Sequence, residues 1–197
     1  MQQVLTDLWQ TRTDSPFPGL TTHAFLWTGP NALFYSTATD GDFDELDELG
    51  GIADQYLSHR DEAGPMLAKI ADHFDSAAER NIDVNGVEVI PTPGHSPGST
   101  CYVADGAEGR YLFTGDTLVL GDSGEWWAGY IPGIGDADAL AASLRLLRTL
   151  SPDVVISSAF QGDSAVHRIE PARWTDHVDQ ALAGLSTATA KGQTRYV

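Results

Sequence analysis

Hydrophobic residues recur at two spacings along the chain, one typical of strands and one typical of helices. The stretch 87–117 shows the clearest strand pattern and predicts three strands separated by tight turns. The first and the third of these strands end in loops that contain glycine and that present His95 and Asp116. Functional side chains often lie in loops at the ends of strands. We therefore expect His95 and Asp116 to belong to the functional site.

Strands and helices also follow one another on both sides of this stretch. Hairpins are predicted over residues 3–36, and single strands over 52–57 and 154–157. His23 falls within a predicted strand, where we expect a packed or surface imidazole rather than a ligand. The predicted helices cover residues 42–49, 66–74, 136–150 and 171–185. No linker or repeat interrupts this order, so we expect one domain over residues 1–197.

The composition disfavours some classes of binding partner. A net charge of −17 disfavours nucleic acid, whose phosphates an acidic protein repels. This charge indicates either an acidic surface adapted to high salt or an ordinary acidic protein. The sequence shows neither the ~18-residue apolar run of a membrane span nor an N-terminal signal pattern. We therefore expect a cytoplasmic protein with no membrane partner. The one cysteine, Cys101, excludes an internal disulfide.

The two glycine loops carry a recognisable pair of motifs. Residues 94–98 read Gly-His-Ser-Pro-Gly, and residues 113–117 read Phe-Thr-Gly-Asp-Thr. At this spacing, each after a strand, they resemble the Gly-His and Gly-Asp loops of the metallo-β-lactamase superfamily. The resemblance implies an α+β fold, a four-layer αββα sandwich of two mixed β-sheets flanked by helices. It also implies that both loops open at one edge of the packed sheets.

The resemblance further implies a metal site, whose ligand set is incomplete here. The family binds one or two metals through a His-x-His-x-Asp-His loop, the two glycine loops and a late histidine. The first loop aligns with residues 57–62, where Leu57 replaces its first His and Glu62 its last, or with residues 59–64, where His59 is its first His and Asp61 takes the place of its second. Both registers keep His59 and Asp61 in the loop. The late histidine is absent, because residues 159–162 read Ala-Phe-Gln-Gly and Phe160 takes its expected place. The implied metal ligands are His59, Asp61, His95 and Asp116, with Glu62 as a further candidate.

Two imidazoles and one or more carboxylates suffice for one divalent transition metal. We expect zinc, with iron or manganese as alternatives, and at most one tightly bound metal per chain. Such a metal activates water for attack on an ester, thioester, amide or phosphoester. Asp61 or Glu62 is expected to be the catalytic group that orients this water or carries its proton. The substrate is expected to be a small molecule, with an apolar wall of its pocket formed by Trp126, Trp127 and Tyr130.

Two other functions remain open from the sequence. Some members of the resembled family hold a single iron by two histidines and one aspartate and oxidise persulfides. The set His59, His95 and Asp116 would imitate that site. Alternatively, the loss of ligands has left a non-catalytic relative with a vestigial site that binds no metal. The sequence thus predicts a metal-dependent hydrolase, with an iron oxygenase and a non-catalytic protein as alternatives.

Overall fold

The computed structural model describes residues 1–17, 20–74, 76–79 and 86–190. The strands in these ranges are β1 (Gln2–Leu5), β2 (Leu8–Gln10), β3 (Asp14–Phe17), β4 (Leu20–Thr22), β5 (Phe25–Trp27), β6 (Ala32–Phe34), β7 (Asp54–Tyr56), β8 (Ala77–Glu79), β9 (Glu88–Pro91), β10 (Thr100–Gly106), β11 (Gly109–Gly115), β12 (Val119–Leu120), β13 (Trp126–Trp127), β14 (Val154–Ser157), β15 (Ala159–Phe160) and β16 (Val166–Arg168). The α-helices are α1 (Phe43–Glu48), α2 (Pro65–Phe74), α3 (Ala137–Leu147) and α4 (Trp174–Ala190).

Two mixed sheets form the centre of the molecule. The first has the strand order β1-β2-β5-β6-β7-β8, in which β6, β7 and β8 run parallel. The second has the order β16-β14-β11-β10-β9, in which β11 and β14 run parallel and the other neighbours antiparallel. Each parallel pair is joined by a connection that contains a helix, as parallel strands require. A small sheet, β15-β4-β3, and the hairpin of β12 and β13 complete the fold.

Aromatic side chains fill the space between the two large sheets. Phe34 of the first sheet stacks on Phe113 of the second, with ring centroids 3.6 Å apart. Tyr102 of the second sheet packs edge-on against Phe34. All three side chains are buried. Because full burial of one such ring stabilises the fold by roughly 1.5–3 kcal/mol, this layer contributes strongly to holding the sheets together.

Helices cover the outer face of each sheet. Leu46 of α1 and Ile70 of α2 belong to the same buried cluster as the aromatic residues between the sheets. Leu144 of α3 and Val178 of α4 form a second buried cluster with Leu112 of the second sheet. Helices, sheet, sheet and helices therefore stack in four layers, and the predicted α+β sandwich is confirmed. None of the helices in the described ranges is both long enough and apolar enough to cross a bilayer.

Several predicted elements are present with shifted ends. The strand predicted over 52–57 ends at Tyr56, because Leu57 then turns away to accept a hydrogen bond from the hydroxyl of Tyr102. Helix α3 ends at Leu147, and the next turn tightens so that the N–H of Leu150 donates to the carbonyl of Leu147. His23 lies just beyond β4 rather than within a strand.

Two glycines allow the site loops to pack against neighbouring elements. Gly94 has a φ of 143°, and a Cβ atom there would lie 2.3 Å from the Cα atom of Leu140 in α3. Gly115 has a φ of 53°, and a Cβ atom there would lie 2.2 Å from the Oγ atom of Ser58. Separations this short exclude a side chain at either position. The loop of His95 therefore lies directly on α3, and the loop of Asp116 lies directly on the segment that precedes His59.

Replacing Gly94 with alanine should destabilise the protein. A side chain at this positive φ costs roughly 1–3 kcal/mol in backbone strain, and the added Cβ atom displaces the backbone of α3. Gly98→Ala in the same loop is the matched control, because nothing lies within 4 Å of a Cβ atom there. Thermal unfolding should show a Tm lowered by about 2–4 °C per kcal/mol for Gly94→Ala and unchanged for Gly98→Ala. Equal melting temperatures for the two variants would contradict this account of the loop.

Candidate metal centre

Three of the predicted residues converge at the edge of the two sheets. His59 follows β7, His95 lies in the loop after β9, and Asp116 lies in the loop after β11. The Nε2 atoms of His59 and His95 lie 3.5 Å and 3.8 Å from the Oδ2 atom of Asp116. The three residues each offer one ligand atom, all within 4.8 Å of one another, and no other such group exists among the described residues. The structure thus brings together two imidazoles and one carboxylate.

A backbone carbonyl fixes the orientation and tautomer of His95. Its Nδ1–H donates a hydrogen bond to the carbonyl oxygen of Gly129 over 3.1 Å. The ring is 2% exposed. Burial lowers the pKa of His95, although the carboxylate of Asp116 acts in the opposite direction. The imidazole is therefore neutral near pH 7, and its Nε2 lone pair faces Asp116.

Ser58 and Glu62 hold His59 in a second network. The hydroxyl of Ser58 donates to the Oε1 atom of Glu62 over 2.7 Å and lies 3.0 Å from the Nδ1 atom of His59. Because the hydroxyl proton goes to Glu62, the Nδ1–H of His59 donates to the hydroxyl oxygen. Burial lowers the pKa of His59, but the nearby carboxylates of Asp116, Glu62 and Asp61 outweigh it and raise the pKa to about 9.

The carboxylate of Asp116 is shared between a serine and the two imidazoles. Its Oδ1 atom accepts a hydrogen bond from the hydroxyl of Ser158, which leaves Oδ2 to face the imidazoles. The backbone of this loop is fixed through Gly115, whose N–H donates to the hydroxyl oxygen of Tyr35 over 3.0 Å. The same hydroxyl donates to the carbonyl oxygen of Ile156 over 2.7 Å. One oxygen of Asp116 is therefore held in place while the other is available to a cation.

The donor set fits a divalent transition metal. Tetrahedral coordination at about 2.1 Å places ligand atoms roughly 3.4 Å apart, close to the observed separations of 3.5 Å and 3.8 Å. Both histidines already give their Nδ1–H to another group, which is the usual support for a metal-ligating imidazole. Because a metal binds the neutral ring, His59 must release a proton when a cation enters. Further coordination positions remain for water or substrate.

The other two predicted site residues lie outside this group. The side chain of Asp61 is 59% exposed, and its Oδ1 atom lies 3.5 Å from the Nε atom of Arg60. Glu62 is buried, and its two carboxylate oxygens accept hydrogen bonds from the N–H and the hydroxyl of Ser58. Both residues line the cavity described below. Neither carboxylate belongs to the group of three donors found among the described residues.

Sequence reasoning missed three groups that orient the ligands. These are the hydroxyl of Ser58, the carbonyl of Gly129 and the hydroxyl of Ser158. Ser158 directly follows β14, and this position at the end of a strand could have marked it as a site residue. No sequence signal marks a backbone carbonyl as a ligand support. Phe160, expected where the family has its late histidine, is buried and stacks on His23 with ring centroids 5.2 Å apart.

The cluster opens into a cavity of about 570 Å³. Three aromatic residues were predicted to form a wall of the pocket, and one of them, Tyr130, lines this cavity. The prediction was wrong for Trp126 and Trp127, which do not belong to the cavity wall. Both are buried in β13, where Trp126 packs into the cluster beneath α3 and α4. The cavity is large enough for a small molecule.

Fold and site together define an αββα protein with a candidate metal centre of two histidines and one aspartate. The model of the metallo-beta-lactamase superfamily matches residues 37–159, more than half of the chain. The chain belongs to this superfamily, whose members are typically metal-dependent hydrolases. No curated protein matches the chain in sequence.

Solved structures share this fold at low sequence identity. A B3 metallo-beta-lactamase with an active-site glutamic acid is 13% identical, with a TM-score of 0.64 over 97% of this chain and 90% of its own. A metallo-beta-lactamase family protein from Thermus thermophilus is 18% identical, with a TM-score of 0.61 over 96% of this chain and 82% of its own. A protein solved in a di-iron-bound form is 18% identical, with a TM-score of 0.61 over 80% of this chain and 94% of its own. At these identities the similarity shows the fold alone.

The raised pKa of His59 predicts how the stability of the metal-free protein depends on pH. The pKa is about 9 in the folded state against the ordinary value of 6.5, so the folded state holds the proton more tightly. The resulting stabilisation is fully present below about pH 6.5 and is lost as the pH rises through 9, with a full size on the order of 3 kcal/mol. Urea unfolding with a chelator present, at about pH 7.5 and about pH 9.5, should show this loss in the free energy of unfolding. Four other histidines, whose pKa burial lowers, do not oppose it in this range, because they are largely uncharged in both the folded and the unfolded state: His23, His95, His167 and His177.

Two variants isolate the contribution of His59. His59→Gln should lose less free energy of unfolding than the wild type between the two pH values, because it lacks the titrating group. His73→Gln, on an exposed position of α2, should behave like the wild type. Cys101, whose pKa burial raises to about 11, contributes equally to all three proteins. An identical loss in the wild type and in His59→Gln would rule out the ion pair between His59 and Asp116.

Proposed function

We propose that this protein is a metal-dependent hydrolase that holds one divalent cation at His59, His95 and Asp116 and acts on a small molecule. One observation carries the proposal. The Nε2 atoms of both histidines face the same carboxylate oxygen of Asp116, and all three residues line a cavity. A bound cation of this kind would acidify water and polarise the acceptor oxygen of a substrate.

The surrounding residues prepare the ligands for that cation. Gly129 holds His95 as the tautomer that presents a lone pair from Nε2. Ser58 and Glu62 hold His59 as the same tautomer. The hydroxyl oxygen of Ser58 accepts a hydrogen bond from the Nδ1–H of His59, and the hydroxyl itself donates to Glu62. Ser158 holds one oxygen of Asp116. The ligands are thus oriented before the cation binds, which supports a retained site over a vestigial one.

Asp61 and Glu62 take different roles in this proposal. Both carboxylate oxygens of Glu62 are occupied by Ser58, so Glu62 orients His59. Asp61 lines the cavity with a side chain that is 59% exposed, which suits a group that orients water or carries a proton to solvent.

A single cation per chain is part of the proposal. A structurally similar protein binds two irons, but the described residues of this chain form only one group of three donors. The residues after β14 are Ser158, Ala159 and Phe160, and none of them offers an imidazole. The same donor set also suits iron(II) with open positions, so an iron-dependent oxygenase is the second candidate function.

Metal content tests the site directly. Protein purified without chelator should contain about one zinc per chain, and His95→Ala should contain less than about a tenth of that, because one of three ligands is gone. His73→Ala is the control, since His73 lies on the outer helix α2 and away from the cavity. Zinc should also raise the Tm of the wild type and of His73→Ala, but not that of His95→Ala.

Each other result of the metal measurement has a definite meaning. Two equivalents of metal would contradict the single site. One equivalent of iron would favour the oxygenase. A wild type that binds no metal, and whose Tm a chelator leaves unchanged, would establish a vestigial site and a non-catalytic protein.

The roles of the two carboxylates separate in a pair of isosteric variants. Asp61→Asn should lower kcat for p-nitrophenyl acetate by roughly 100-fold or more, through loss of a proton carrier, and leave the metal content unchanged. Glu62→Gln should weaken metal affinity by about 10- to 100-fold, through loss of support for His59. Steady-state kinetics and competition with a chromogenic chelator measure the two effects. The reverse pattern would exchange the roles of the two residues.

A further inference from the structure

The charge of the cavity wall bears on which substrates can enter. Four carboxylates contribute to the wall, and no lysine or arginine does so among the described residues. The four are Asp14, Asp61, Glu62 and Asp116. A divalent cation at the candidate metal centre would offset two of these charges. Apart from the candidate metal centre, where His59 is protonated when no metal is bound, the described wall offers no cationic side chain to an anionic substrate group.

Charged side chains just outside the wall do not make the cavity positive. Arg60 lies beside the cavity, but it is 60% exposed and its guanidinium pairs with Asp61. Arg12, on the segment before β3, pairs with Asp42 and is likewise exposed. Asp14 forms no ion pair with any described residue. The long-range field has the same sign, because the net charge of the chain is −17.

Two residues of the same wall carry a buried polar atom that lacks a hydrogen-bond partner within the described part of the chain. The Nδ1 atom of His23 and the Oγ1 atom of Thr37 have no hydrogen-bond partner among the described residues. Both residues line the cavity, at 6% and 7% exposure. Buried polar atoms are normally paired, and leaving one unpaired destabilises the folded state. Such atoms in the wall of a cavity suggest a partner that arrives with the ligand.

His23 suits a neutral ligand group in particular. Burial lowers its pKa, although hydrogen bonds to the backbone of Arg12 and Thr11 act in the opposite direction, so the ring is uncharged near pH 7. Its Nδ1 atom is the one without a partner in the part of the chain that the structure describes. Its ring stacks on Phe160, and its backbone N–H donates to the carbonyl oxygen of Ser158 over 3.2 Å. Ser158 in turn holds Asp116. His23 is therefore fixed to the same element that supports the candidate metal centre.

We propose that the cavity selects uncharged or cationic substrates, excludes phosphoesters and esters that carry a carboxylate, and binds a polar group of the substrate through His23 and Thr37. The proposal rests on the proposed hydrolase function and names its substrate class. Met66, Pro65 and Ile131 add apolar groups to the wall. Neutral esters and amides with a hydrogen-bonding group match this combination.

A matched series of p-nitrophenyl esters tests the charge selection. The cationic ester is that of trimethylammoniobutyrate, the neutral one carries a tert-butyl group in place of trimethylammonium, and the anionic one is the hemiglutarate. Each kcat/KM is divided by the rate of hydrolysis of the same ester by hydroxide, which removes differences in intrinsic reactivity. The zinc-loaded protein should prefer the neutral and the cationic esters over the anionic one by roughly 10- to 100-fold. An anionic ester hydrolysed as well as the neutral one would overturn the proposal.

The source of the selection is tested by salt and by a charge-matched pair of variants. The preference should shrink as the salt concentration rises from about 0.05 M to about 1 M, because salt screens the wall. Asp14→Asn should reduce the preference several-fold. Glu48→Gln, an equal change of charge on the exposed face of α1, should leave it as in the wild type. An equal effect of both variants would assign the preference to net charge rather than to the wall, and would overturn the proposal.

The part played by His23 and Thr37 is tested by variants that keep the shape of the wall. His23→Phe retains a ring that can stack on Phe160, and Thr37→Val replaces a hydroxyl by a methyl group. Each should raise KM for an ester that bears a neutral amide by about 10-fold at unchanged metal content. Each should also leave the Tm equal or higher, because an unpaired polar atom is removed. A lowered Tm with unchanged KM would mean a structural role and would overturn this part of the proposal.

Binding measurements keep this test separate from the test of hydrolysis. If none of the esters is hydrolysed, the proposed function fails, but charge selection is still measurable by NMR titration. The probes are choline, its tert-butyl isostere dimethylbutanol, and dimethylbutanoate, added to the protein with chelator present so that no anion binds a metal. Stronger binding of the first two supports the selection. Binding of dimethylbutanoate at least as strong as that of choline would overturn it.

Discussion

A carboxylate buried between two imidazoles is the interaction on which the site depends. A charge taken out of water must be compensated, because its desolvation costs several kcal/mol. For Asp116 the compensation comes from the hydroxyl of Ser158 on one oxygen and from His59 and His95 on the other. Without metal, a proton on His59 balances the charge, which is why the pKa of that ring is about 9. A metal ion would replace this proton with a larger positive charge.

The two sheets matter to this site because they fix three loops against one another. The segment before His59 is tied to the second sheet, since the carbonyl of Ser58 accepts from the N–H of Thr100 over 2.8 Å. The loop of His95 is tied to the strand-free segment around Ile131, whose N–H donates to the carbonyl of His95 over 3.1 Å. Such bonds join residues far apart in sequence. The candidate ligands therefore lie together only because the folded molecule brings these distant segments into contact.

Sequence reasoning found the candidate ligands that local motifs mark, but it missed the groups that hydrogen-bond to them. His95 and Asp116 were visible because glycine is required where their loops press on α3 and on Ser58. The fold was visible because strand and helix periods alternate along the chain. The different surroundings of Asp61 and Glu62 were not visible, since adjacent carboxylates look alike in a sequence until a structure shows that Ser58 hydrogen-bonds to only one of them. Tandem tryptophans likewise gave no sign of which side of the sheet they would face.

The carboxylates of the cavity wall would affect both the binding of a metal and the binding of a substrate. Carboxylates around a cation raise its affinity for the site, but they also lower the positive potential that an anionic substrate would meet. A site with few candidate ligands, as this one has among its described residues, would gain from such surrounding charge. It then cannot also use the cation to draw in phosphates or carboxylates, because the field beyond the ligands stays negative. The same negative charges that would help this cavity to retain a metal with an incomplete ligand set would therefore weaken its binding of anionic substrates.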